Sequence, residues 1–201
     1  MLAVDPFPHA VIDDWFDRAL LEAVAAEFPD PEHHGWKQYR NAQEGKLEGR
    51  PALWGDHTWS YFGQLRERAG ELADLFGIPD LAMETIGGGY HLIPPGGYLA
   101  MHSDFNRSPD SGLYRRLNVL TYLNPGWGDP GGHLYLGAGR EVDIVPEMGR
   151  TAIFATSATS WHGHPVPAGC WRRSVAAYFF SPAPPPGYDA EQSTVWLDEV
   201  A

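Results

Sequence analysis

Pro94-Pro95-Gly96-Gly97-Tyr98-Leu99-Ala100-Met101-His102-Ser103-Asp104 reads as a turn, then a short apolar strand ending in His-Ser-Asp. Side chains on an extended strand alternate faces, so His102 and Asp104, two apart, point the same way. The pattern repeats from Met83 onward. Short apolar runs occupy 86–93, 98–102, 117–123, 133–136, 142–145, 151–155 and 174–180. Turn residues part them at Pro125-Gly126, Asp129-Pro130-Gly131-Gly132 and 146–149. Many short strands at such spacing predict a sandwich or barrel.

The first third of the chain reads as helical. Asp13 or Asp14 is placed to cap a helix with Phe16, Leu20, Val24 and Phe28 on one face, stopped by Pro29. A second helix is expected from Ser60 to Phe76, with Leu65, Ala69, Leu72 and Phe76 on its apolar face and Gly77 as its stop. Residues 30–57 are polar and glycine-rich, and are expected to form a long loop near the substrate. Pro182 to Gly187 is too proline-rich to continue a strand and is expected to wrap the surface. The fold class is therefore mainly β with flanking helices, an α+β chain.

At 201 residues and 43% hydrophobic, the chain can bury a substantial core, and no Pro-, Gly- or Ser-rich linker divides it. One domain over 1–201 is the expectation. A formal net charge of −12 disfavours nucleic acid and anionic membranes, and favours a cationic or neutral substrate. The single Cys170, the absence of a basic leader and the lack of a long apolar run point to a cytoplasmic protein that does not enter a membrane. Oligomeric state is not encoded in any pattern here.

His102 and Asp104 need one more ligand for a two-His, one-carboxylate face, the arrangement of non-haem Fe(II) oxygenases. His162 and His164 both have the parity to supply it, and spacing alone does not choose between them. Arg172 and Arg173 must point to opposite faces of a regular strand, so one enters the interior and offers a planar fork to a carboxylate. Tyr122 reads as a core aromatic needing a hydroxyl partner. Asn118 and Thr121 either line the cavity or bond to backbone, and Trp127 and Trp161 read as core or lid aromatics. Gly87-Gly88-Gly89 is no phosphate loop, since no helix start or Lys follows it.

HSDFN at 102–106, RRLNVLTYLN at 115–124, GGHLYL at 131–136, SWHGHP from Ser160 and RRSVAAYFF ending at Phe180 stand in an order and spacing similar to one family. The chain resembles the Fe(II)/2-oxoglutarate-dependent oxygenases of the prolyl-4-hydroxylase-like type. The resemblance implies a double-stranded β-helix, the cupin-like jelly roll, with the N-terminal helices packed on one sheet. It implies Fe(II) held by His102, Asp104 and His162, the last being the His ten residues before Arg172, and leaves His164 in the pocket wall. Arg172 and Tyr122 would take the distal carboxylate of 2-oxoglutarate, and His91 would stand near its C1 end. With O2 as the second co-substrate, the implied reaction is hydroxylation of an unactivated C–H bond, releasing succinate and CO2. The implied substrate is a small molecule or metabolite. Alternatives are a prolyl hydroxylase acting on a protein or peptide and a non-oxygenase cupin-type metal-binding protein. Asp104 argues against a halogenase, which lacks the carboxylate ligand.

Overall fold

Alternation along Arg172–Ser181 sorts the molecule into layers. Val175, Ala177 and Phe179 join a core shared with Leu21, Val24, Tyr61, Phe62, Leu65 and Leu72 of the helical region. Ala176, Tyr178 and Phe180 form a separate cluster with Ile86, Phe105 and Leu120. One face of this strand thus buries the helices, and the other faces the inside of the roll.

The computed structural model describes residues 1–185, 187 and 191–199. In chain order the elements are β1 (His9–Ile12), α1 (Arg18–Ala26), β2 (Lys37–Arg40), β3 (Gly45–Gly49), α2 (Asp56–Glu67), α3 (Ala69–Phe76), β4 (Ala82–Ile93), β5 (Leu99–Ser103) and β6 (Tyr114–Tyr122). They continue with β7 (Leu134–Leu136), β8 (Val142–Ile144), β9 (Thr151–Ala155), β10 (His162–His164), β11 (Arg172–Ser181) and β12 (Val195–Trp196). The larger sheet runs β1-β9-β6-β11-β4-β3-β2 and the smaller β12-β5-β10-β7-β8. Every strand pairing is antiparallel among the described residues. Phe7, Tyr122, Leu134, Leu136, Ile144 and Phe154 fill the space between the sheets. The architecture is the expected jelly roll, mainly β, with helices on one sheet.

Several local expectations are corrected. The cap of α1 is Asp17, whose carboxylate accepts from Leu20 N at 3.0 Å, because a cap must sit three residues before the amide it serves. Asp13 instead pairs with Arg150 at 2.8 Å. The second helix is two helices meeting at Arg68, where the turn tightens to an Arg68 N to Leu65 O bond of 3.2 Å. Gly77 closes α3 at φ 64°, as its position foretold.

Residues 30–57 are not a long loop. They contain the β2–β3 hairpin, which extends the larger sheet by pairing Leu47, Glu48 and Gly49 with Leu92, His91 and Tyr90. Gly45 N to Tyr98 O and Ala100 N to Gln43 O bonds, at 2.8 and 2.7 Å, also tie this hairpin to the start of β5. It therefore bridges the two sheets at one end of the roll. The glycine run 87–89 lies where the β4–β11 register slips, from Ala176 opposite Gly89 to Tyr178 opposite Glu84. Of the proline-rich tail, residues 182–184 are exposed, while 186 and 188–190 lie outside the described residues, as do 200 and 201. Among the described residues, no helix is long and apolar enough to cross a membrane.

Candidate active site

β5 and β10 are neighbours whose register sets His162 directly opposite His102. Asp104 follows one residue past the end of β5. Ligand atoms of the three all lie within 4.8 Å of one another. His102 Nε2 is 3.5 Å from Asp104 Oδ1, and His162 Nε2 is 3.3 Å from Asp104 Oδ2. Adjacent ligands of an octahedral ion with bonds of about 2.1 Å stand about 3 Å apart, so the triad needs little adjustment to close on one. Both imidazoles carry their proton on Nδ1, which donates to a carbonyl two residues back, Ala100 O and Ser160 O, each at 2.9 Å. That leaves both Nε2 lone pairs turned toward the carboxylate. Burial, and then the neighbouring His162, lower the pKa of His102 and favour its neutral, ligating form.

Between the two histidines of β10 stands Gly163. A Cβ there would lie 2.7 Å from Ala100 O and 2.8 Å from Leu99 O, so a side chain would push β10 off β5. The register slips at this point, and His164 pairs with Leu99 instead of joining the triad. The structure thus separates the two histidines that spacing could not.

Asp104 is held from behind. Arg115 Nη2 reaches Oδ2 at 3.0 Å and Asn118 Nδ2 donates to the same oxygen at 2.8 Å, while Arg115 Nε donates to Asn118 Oδ1 at 2.8 Å. The Arg115 guanidinium lies 3.6 Å from the centre of the Tyr178 ring. Burial opposes ionisation of Asp104, yet Arg115 and His162 hold its carboxyl well below the usual range. Arg115 is a residue that sequence reasoning missed. Simple parity puts it with Leu117 on the helix face, but a bulge shifts the register between Phe179 opposite Leu117 and Phe180 opposite Arg115. Its signal was a charge two places before a run of buried apolar residues. Thr121 does not line the cavity: its hydroxyl accepts from Tyr61 at 2.8 Å, on the helix side.

Arg172 points into the roll and is 3% exposed. Its Nε donates to Gly132 O at 2.7 Å, and its guanidinium lies 5.0 Å from the centre of the Tyr122 ring. Among the described residues no carboxylate pairs with it. Tyr122 Oη and His164 Nδ1 are likewise buried without a hydrogen-bond partner among the described residues. Burial raises the Tyr122 pKa to about 12, and burial with Arg172 nearby keeps His164 neutral. A buried cation and two unsatisfied polar atoms are costly unless something anionic completes them. Arg173 lies on the other face, half-buried. His91 stands opposite Ser174 and Glu48, with Nε2 3.3 Å from Gly87 O, and burial and then Lys46 lower its pKa to about 3.

A cavity of about 200 Å³ opens beside His102 and Asp104, walled by Glu44, Lys46 and Glu48 of the hairpin and by Trp196. β12 pairs with β5 so that Trp196 faces His102, their rings 5.2 Å apart. Gln192 anchors this C-terminal segment by donating to Ser103 Oγ at 2.9 Å. Neither the hairpin row nor Trp196 was singled out from sequence. Trp127 donates to Gly131 O at 3.2 Å, away from this cavity.

The sequence model of the 2OG-Fe(II) oxygenase superfamily matches residues 88–181, a span that contains the triad, Arg172, Tyr122 and His91. No curated protein matches the chain in sequence. Among solved structures it is similar to a Pseudomonas putida prolyl-4-hydroxylase, with a TM-score of 0.66 at 22% identity over 86% of this chain and 91% of that one. A Trichoplax adhaerens prolyl hydroxylase, solved with a hypoxia inducible factor oxygen degradation domain peptide fragment, gives 0.66 at 17% identity over 86% and 83%. A viral collagen prolyl hydroxylase from Paramecium Bursaria Chlorella virus-1, in a 2OG complex, gives 0.61 at 16% over 86% and 96%. Residues 88–181, which hold the site, are thus similar to the 2OG-Fe(II) oxygenase superfamily, whose enzymes are dioxygenases using Fe(II), 2-oxoglutarate and O2, and the solved structures share the jelly roll.

Proposed function

We propose that the chain hydroxylates an unactivated C–H bond of a small molecule, with His102, Asp104 and His162 holding Fe(II) and Arg172 and Tyr122 holding the distal carboxylate of 2-oxoglutarate. The observation that carries this reading is the buried Arg172 guanidinium, which has no carboxylate partner among the described residues and stands beside the unpartnered Tyr122 hydroxyl. A cupin-type protein that only binds metal has no use for such a cation. When bound, Fe(II) and 2-oxoglutarate supply the oxidation: one atom of O2 goes to the substrate as hydroxyl, the other to succinate, and CO2 leaves.

The protein's own residues do the rest. His102, Asp104 and His162 would hold the metal through two imidazole nitrogens and one carboxylate oxygen. Arg115 and Asn118 keep Asp104 ionised and fix its rotation. Asp104 would serve as an anionic ligand where a halogenase lacks a carboxylate, which supports hydroxylation. Arg172 and Tyr122 set the direction of 2-oxoglutarate by charge-assisted hydrogen bonds, and neutral His91 flanks it. Trp196 and Phe105 restrict water on the cavity side. The exposed, lone Cys170 accords with a cytoplasmic setting.

A second reading, hydroxylation of a prolyl residue in a peptide, draws on the structural neighbours, which share the fold. The test common to both is an anaerobic titration of the Fe(II) protein with 2-oxoglutarate, followed in the visible charge-transfer region, then admission of O2 and measurement of succinate. Metal binding without a 2-oxoglutarate-dependent band or succinate would reject the oxygenase reading in favour of a metal-binding protein.

A further inference from the structure

β3 and Glu44 just before it aim a row of charges at the metal triad. Glu44, Lys46 and Glu48 alternate with Gly45, Leu47 and Gly49, and the two-residue period of a strand puts the three charged side chains on one face. Leu47 turns the other way, into the core beneath the helices. The charged row and the triad members His102 and Asp104 wall the same cavity. These are not solvated surface charges: the side chains of Glu48, Glu44 and Lys46 are 4, 11 and 15% exposed.

Every acid on the wall already has its base. Glu44 Oε2 pairs with Lys46 Nζ, Glu48 Oε1 with Arg50 Nε and Asp104 Oδ2 with Arg115 Nη2, each at 3.0 Å. A charged substrate therefore meets no uncompensated counter-charge to repay its lost hydration. An apolar ring pressed against the pairs would strip their remaining water and return no hydrogen bond. Hydrogen-bonding capacity does remain. Glu48 Oε2 accepts from Tyr39 at 2.8 Å and Oε1 from Arg50, which leaves lone pairs on both oxygens. Lys46 has N–H groups beyond the one directed at Glu44, and Trp196 and Phe105 offer flat apolar surface across the cavity.

We infer that the prime substrate is a neutral ring bearing several hydroxyl groups, its hydroxyls bound by Glu44, Lys46 and Glu48 and its C–H face against Trp196. This rests on the oxygenase reading and names the substrate class for that same site.

The Fe(II) protein with 2-oxoglutarate is exposed to O2 in the presence of neutral methyl hexopyranosides and cyclitols, of putrescine, or of acetyl-proline amide, and succinate and product mass are measured. At least one glycoside or cyclitol is expected to raise succinate formation above the substrate-free rate and to gain one oxygen atom. Glu48→Gln and Lys46→Met are each expected to raise its half-saturating concentration about tenfold or more, as loss of a charged hydrogen-bond partner requires. Lys46 is less buried than Glu48, so its variant keeps the test decisive if Glu48→Gln unfolds; melting curves report that. Stimulation by putrescine or acetyl-proline amide alone, stimulation by none of the probes, or glycoside binding unchanged in the folded variants overturns the inference. Absence of both the charge-transfer band and substrate-free succinate is a different outcome, in which the oxygenase reading itself fails and takes the inference with it.

Discussion

Replacing Arg172 by Ala should detach 2-oxoglutarate from an otherwise intact metal site. The guanidinium spends Nε on Gly132 O and has no carboxylate partner among the described residues, so its terminal nitrogens are free to make a bidentate pair with the distal carboxylate. Hydrogen bonds to charged groups contribute roughly 1.5–3 kcal/mol each, partly offset by desolvation. A net loss of about 3 kcal/mol, about 150-fold in Kd, is expected. Anaerobic titration of the Fe(II) protein with 2-oxoglutarate measures it. Arg173→Ala is the control, since that side chain faces away, and its effect should stay under about 0.5 kcal/mol. Equal losses in the two variants, or an Arg172→Ala affinity close to that of the unmodified protein, would reverse the register argued for β11. The same geometry has a stability corollary. A buried charge without a counter-charge does not help the ligand-free fold, so Arg172→Met should melt no lower than the unmodified protein without 2-oxoglutarate. Only the unmodified protein should then gain melting temperature when the ligand is added.

His162→Ala should abolish Fe(II) binding measured by equilibrium dialysis, and His164→Ala should retain it; the reverse ranking would place the third ligand at His164. Gly163→Ala should cost about 2 kcal/mol in urea unfolding, because its Cβ meets β5 backbone, whereas Gly63→Ala, with open space within α2, should gain about 0.5–1 kcal/mol; similar effects at both sites would refute the close approach. His91 has a folded pKa of about 3, below its unfolded value near 6.5, so the unfolded chain takes up the proton first. Its contribution to stability is full above about pH 6.5 and is lost as pH falls below, by up to about 1.4 kcal/mol per unit. His91→Gln should flatten the decline in denaturant-measured stability between pH 7 and pH 5, and an unchanged slope would show that His91 is not held neutral.

What the sequence disclosed follows from how regular the backbone is at each place. β9 was legible to the residue as 151–155, because an apolar run ends abruptly at both sides. His102 and Asp104 were legible as a pair because they lie two apart at the end of an extended strand, and Arg172 because β11 pairs regularly with β4 at its start. Arg115 was not, since the bulge before Leu117 reverses the parity that a reader must assume. The β2–β3 hairpin escaped notice because its inward face is charged, and hydrophobic alternation cannot report a strand that faces a polar cavity. β10 and β12 are too short, at three and two residues, to carry any periodicity. The helix break at Arg68 leaves the apolar spacing continuous from Leu65 to Leu72, so no pattern betrays it.

The antiparallel register that sets His162 against His102 spans sixty residues of chain, and strand pairing closes that span. The entropy of gathering the three donor groups is therefore spent in folding, not at the moment an ion arrives. A chelator should accordingly empty the seat and leave the barrel standing, and an ion should return without refolding. A seat that stands ready in this way is also undiscriminating. Imidazole and carboxylate donors hold Co(II), Ni(II), Cu(II) or Zn(II) at least as tightly as Fe(II) in the usual affinity order. Which ion sits there is thus decided by what the surroundings supply, and loss of activity through mis-metallation would leave the fold and the sheet register untouched.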